Sequence, residues 1–115
     1  MAVRVFCRNP SSLLQKIKDA IRAGSIQTWQ LDTDGDLTHS PEQWKNLAWF
    51  RPVVEDDRII FKILARTDKV MSKATYAVYH GRFIEMILTH FDEDSTRVTA
   101  TSLPANGDII GSDAL

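Results

Sequence analysis

Three aspartates at alternate positions, Asp32, Asp34 and Asp36, stand around Gly35 in the stretch LDTDGDLTHS, with His39 close behind. Carboxylates spaced this way can gather around a divalent cation, which takes hard oxygen ligands. With a metal and a general base they could also act on a phosphate ester. His39 is the base nearest in sequence, and His80, in TYAVYHGRF, is the other histidine with a possible catalytic role. His80 and His90 are ten residues apart, about 1000° of helical rotation, so they cannot easily form a metal pair on one helix face. A plainer reading is available for the acidic stretch. Asp-Gly sequences make turns, because glycine accepts positive φ and aspartate bonds its own backbone.

Aromatic residues bracket this stretch: Trp29 before it, then Trp44, Trp49 and Phe50, followed by Arg51. Indoles beside carboxylates could stack on bases, sugars or a peptide, and core and lid packing of a small domain is the plainer reading of them. The surface expected to bind a protein or small-molecule partner is therefore built from Trp29, Asp32, Asp34, Asp36, His39, Trp44, Trp49 and Arg51. Arg58, Lys62 and Arg66 lie downstream and could add a phosphate contact. The near-neutral overall charge weakens the case for nucleic acid.

QLDTDGDLTHS resembles the first motif of haloacid-dehalogenase-type phosphatases, Asp-x-Asp-Gly-Thr-Leu after an apolar strand. The resemblance implies Asp32 as nucleophile, Asp34 as acid/base and magnesium beside the substrate phosphate. Asp36 stands where that family has threonine, and the preceding IQTWQ is polar for a buried central strand. An EF-hand loop starting at Asp32 would need glycine at its sixth position and glutamate at its twelfth. Leu37 and Gln43 occupy those places. Over a longer span, THSPEQWKNLAWFRP and YAVYHGRFIEMILTHF resemble small bacterial proteins of unassigned activity, which implies no cofactor and no catalytic residue.

The elements that must position these residues follow from periodicity. VRVFC alternates as a strand. NPSSLLQKIKDAIRAG carries Asn9 as a cap, Pro10 at the first helical position and an apolar stripe of Leu13, Leu14, Ile17, Ala20 and Ile21. SIQTWQL reads as a strand leading into the acidic turn. Ser40, Pro41 and Gln43 form a capping-box pattern that opens a short helix to about Asn46. LAWFRPVV and RIIFKILA read as two strands joined at EDD, the first an edge or bulged strand because of Pro52. The second is apolar on both faces and so central. A second long helix starts at about Lys69 or Ser72 and ends at His90, interrupted by Gly81, which close approach of another backbone would explain. STRVTATSL is a last alternating strand.

The expected order is β-α-β-(short α)-β-β-α-β. It describes an α+β fold, a mostly antiparallel sheet of about five strands with two main helices on one face, a ferredoxin-like variant. With 115 residues and 13.0 kDa, the chain suits one domain over 1–103 with a loosely held tail over 104–115. Net charge of −1 and a pI near 6.3 give no global field for nucleic acid or anionic lipid. Cys7 is the only cysteine, which excludes an internal disulfide and a cysteine-based zinc site. No apolar run reaches transmembrane length, and MAVRVFCRNP lacks the apolar region of a signal peptide. A cytoplasmic protein follows as the expectation. The expected function is a non-enzymatic binding module using 29–51, with no cofactor. The alternative is a small metal-assisted hydrolase in which Asp32, Asp34 and Asp36 work with His39 or His80.

Overall fold

In a computed structural model of the chain, which describes residues 3–104 and 107–111, the apolar periodicities become six strands and two helices. They are β1 (Val3–Phe6), α1 (Pro10–Arg22), β2 (Trp29–Leu31), β3 (Leu37–His39), β4 (Ala48–Val54), β5 (Arg58–Ala65), α2 (Lys73–His90) and β6 (Arg97–Ala100). One sheet contains all six strands in the order β2-β3-β4-β5-β1-β6, and every neighbouring pair runs antiparallel. The fold is α+β. Among the described residues no helix is long and apolar enough to cross a membrane.

The core forms where helical and strand periods meet. In α1, Leu13, Ile17 and Ile21 are buried at i, i+4 and i+8, a single line along the helix. In α2, Tyr76, Tyr79, Phe83, Met86 and Ile87 are buried. They join alternate strand residues Val3, Val5, Phe50, Ile59, Phe61 and Ile63 in one apolar cluster. Register aligns these residues, with Val3 opposite Phe61, Val5 opposite Ile59 and Phe50 opposite Ile63. Phe83 is the hub, with its ring 4.6 Å from Phe61, 4.8 Å from Phe50 and 5.2 Å from Trp29. Each such aromatic contact adds about 0.5–1.5 kcal/mol beyond area burial.

Several expectations are corrected. The sheet has six strands rather than about five, because the chain returns from the acidic turn as β3 and pairs with β2. No short helix follows Ser40; residues 41–47 are turns, and Asn46 has φ of 59°. Ser40 does not cap. Its Oγ donates to Gln27 O at 3.1 Å, tying the turn back to the start of the hairpin. Gly81 makes no close backbone contact, since a Cβ built there would meet nothing within 4 Å.

Other features agree with the local chemistry. Ser72 caps α2, accepting from Thr75 N at 3.0 Å. β5 is central, between β4 and β1. β3 pairs with β4 only at Leu37 and Phe50, so Pro52 lies where the outer edge of β4 has no strand partner. Of the segment 104–115, expected as a loosely held tail, residues 105, 106 and 112–115 lie outside the described residues. Ile109 N donates to Ile63 O at 2.9 Å, Ala65 N to Ile109 O at 2.6 Å and Met71 N to Ile110 O at 2.9 Å. Ile109 thereby bridges Leu64 in parallel, and Ile110 is buried.

Candidate functional site

The hairpin shapes the acidic turn. Leu31 pairs with Leu37, and inside that pair Asp32 N donates to Asp36 O at 2.9 Å. The Asp32 carboxylate folds over its own turn, with Oδ1 accepting from Asp34 N and from Asp36 N, both at 2.9 Å. Gly35 N donates to Asp32 O at 3.2 Å, and its φ of +82° is a conformation that only glycine adopts at little cost. Lys18 reaches across from α1, its Nζ 3.2 Å from where a Gly35 Cβ would be. One ligand atom from each of Asp32, Asp34 and Asp36 can be chosen so that all lie within 4.8 Å of one another.

The register of β4 decides what faces this turn. Phe50, opposite Leu37, points into the core, so Arg51 emerges on the other face of the sheet, beside Asp36. Arg51 Nη2 lies 2.9 Å from Asp36 Oδ2, and its Nε lies 3.2 and 3.3 Å from the two carboxylate oxygens. Asp36 is only 4% exposed, and the ion pair compensates its burial. The Asp36 carboxylate raises the pKa of Arg51, first by accepting its hydrogen bonds and then by its charge.

Trp49 is half-buried on the same face as Arg51 and pairs across the sheet with Leu64. The chain leaving β5 then turns, and Arg66 holds Asp68 through bonds of 2.9 and 2.8 Å. Those bonds are the main reason the Asp68 pKa is lowered.

These groups line one cleft of about 520 Å3: Asp32, Asp34 and Asp36 on one side, Trp49, Arg51 and Leu64 as floor, and residues 65–68 opposite. Among the lining residues four carboxylates face two guanidinium groups, a balance of −2, and the Lys18 ammonium against the turn at Gly35 brings the neighbourhood to −1. Each arginine is paired with a carboxylate, Arg51 with Asp36 and Arg66 with Asp68. Among the described residues Asp32 and Asp34 form no ion pair, and Asp34 is exposed.

The histidines are elsewhere. His39 is 4% exposed, its Nδ1 is 2.9 Å from Thr28 O, and its ring packs 4.8 Å from Trp29 and 5.9 Å from Tyr79. His80 is 5% exposed and stacks on Tyr76 at 3.8 Å. Its Nδ1 lies 2.6 Å from Tyr76 O, the carbonyl one helical turn back, and Nε2 is buried without a hydrogen-bond partner among the described residues. Desolvation is the first cause lowering both histidine pKa values. Both rings belong to the core side of the sheet, whereas the Asp36–Arg51 pair is on the other side. The expected assembly of the acidic cluster with His39 or His80 is therefore not formed.

The expected binding surface divides along the same line. Asp32, Asp34, Asp36, Trp49 and Arg51 line the cleft. Trp29 and His39, expected at the surface, are core residues, because hairpin pairing turns Trp29 and its partner His39 inward. Trp44 is half-buried against the core, and its carbonyl accepts from Tyr79 Oη. Leu64, Thr67 and Asp68 were not anticipated as cleft residues. Arg66 stood out only as a possible phosphate contact, and it is the Trp49–Leu64 register that brings its turn to the acidic hairpin.

No family model, no curated protein and no solved structure matches the chain. The phosphatase resemblance rests on the short motif alone, and the antiparallel pairing of the six strands departs from the parallel, doubly wound sheet of that family.

Proposed function

We propose that the protein is a non-enzymatic binding module whose cleft takes a cationic group of a partner, a lysine or arginine side chain on a peptide segment. The observation that carries this reading is the acidic lining of the cleft, four carboxylates around a half-buried indole with both arginines already paired and a net negative charge even with Lys18 beside the turn. A cation above Trp49 would gain from the ring's negative face, about 0.5–1 kcal/mol at an exposed site and about 2 when desolvated. Charge-assisted hydrogen bonds to Asp34 would add direction. The same balance repels phosphate and argues against nucleic acid. Titration with a lysine-rich peptide is expected to shift the Trp49 indole resonance and amides 32–36 saturably, less so at higher salt, and not in Asp34→Asn or Trp49→Ala. Shifts confined to other residues would overturn the reading.

A second reading, a metal-assisted hydrolase, is favoured by one observation, the convergence of three carboxylates within 4.8 Å. It would have to work without His39 or His80, and with Asp36 already engaged by Arg51. A divalent-metal titration that moves amides 32–36 in a 1:1 ratio would support it over the peptide reading.

The fold-family proposal is a ferredoxin-like variant with both helices on one face. What supports it is the frame β1-α1-β4-β5-α2-β6, whose strands lie in the order β4-β5-β1-β6, with the β2–β3 hairpin inserted after α1. A cytoplasmic location accords with a lone, buried, unpaired thiol at Cys7.

A further inference from the structure

Gly81 is the residue of α2 that the fold leaves unexplained. It lies in the helix interior, where glycine is less favourable than alanine, and its φ is not among the positive values of the chain. Because a Cβ there would meet nothing within 4 Å, no described part of the chain requires bare backbone. With Ala77 and Val78 it floors a shallow apolar groove of about 310 Å3, walled by Arg82 and Glu85. Leu88 follows Gly81 by seven residues, close to two helical turns and therefore on the same line of the helix. It is 55% exposed, on the face of α2 opposite the one buried in the core.

We infer that this face of α2 is the interface of a homodimer, in which a second copy lays its own α2 antiparallel across the first. The two-fold axis passes at the level of Phe83. Leu88 of each copy enters the other's groove beside Ala77 and Val78, and Glu85 comes opposite Gly81, where the missing side chain admits close approach. The patch is complementary to itself in charge as well as in shape. Arg82 and Glu85, 3.2 Å apart and more than half exposed, each meet the opposite charge on the other copy, as a two-fold interface requires. The apolar contact drives association and the charges select the antiparallel direction. A contact between two single helices is small, so association is expected to be weak, half complete on the order of 10–100 µM.

Sedimentation of the full chain from about 5 µM to about 1 mM brackets that range and is expected to show a monomer–dimer equilibrium. Leu88→Glu should weaken it at least tenfold while circular dichroism reports an unchanged fold. Arg82→Glu should weaken it too, and the double charge exchange Arg82→Glu with Glu85→Arg should restore it, a recovery that a folding defect would not give. A chain that stays monomeric at every concentration overturns the inference. So does a dimer indifferent to Leu88→Glu.

Discussion

Asp36 and Arg51 are the pair through which the acidic turn is fixed to the sheet, and their exposures are unequal. The Asp36 side chain is 5% exposed and that of Arg51 is 52% exposed, so removing either one leaves a different problem. Arg51→Ala strands a buried carboxylate and should lower the thermal midpoint. Asp36→Asn in the same background should recover part of that loss, because the stranded charge is gone. A double-mutant cycle in denaturant measures the coupling. His80 sets a second residue-level expectation. Burial lowers its folded pKa below the ordinary value of 6.5, so in acid the unfolded chain takes up the proton first. Its contribution is fully present above pH 6.5 and is lost as pH falls towards the folded value. His39 acts with the same sign. Unfolding free energies from urea titrations should therefore fall as pH is lowered from 7.5 to 5, with a slope bounded by about 1.4 kcal/mol per pH unit for each histidine. His80→Leu should flatten part of that slope.

The two helices were legible from sequence because their signals are local. Pro10 opens α1, Ser72 caps α2, and the 3.6-residue stripe names the buried faces. Strand β2 and the acidic turn were legible; the returning strand β3 was not. Leu37–His39 is only three residues long, too short for alternation to register, and the Ser40–Pro41 pattern imitates a helix start that residues 41–47 do not follow. Glycine at 81 was read as a packing device, but whether a glycine contacts anything is a tertiary fact. From its open surroundings, Gly81→Ala should stabilise the isolated chain by about 1 kcal/mol through helix propensity alone. The same change should weaken self-association. Thermal unfolding at low concentration and sedimentation at high concentration read the two effects separately.

At the scale of the whole molecule, half of the cleft could be anticipated and half could not. Asp32, Asp34 and Asp36 announce themselves by spacing, and Trp49 and Arg51 by proximity. The opposite wall, residues 65–68, and Leu64 in the floor depend on strand register, which no local pattern encodes. That wall is in turn held by the far end of the chain, through the bonds from Ala65 to Ile109 and from Met71 to Ile110. Ile110→Ala should cost about 2 kcal/mol, and the amides of Ala65 and Met71 should lose hydrogen-exchange protection ahead of those in β1. The other wall is fastened differently. Leu37 and Phe50 form the only register pair between β3 and β4, whereas β4 and β5 share seven. Beyond the Asp36–Arg51 pair and the Thr38 Oγ1 bond to Ala48 O, the hairpin is thus held by the burial of Trp29 and Leu37 rather than by a backbone ladder. Apolar burial weakens on cooling. Near freezing this seam should loosen before the rest of the sheet, so that the cleft loses one wall in the cold while the frame stands.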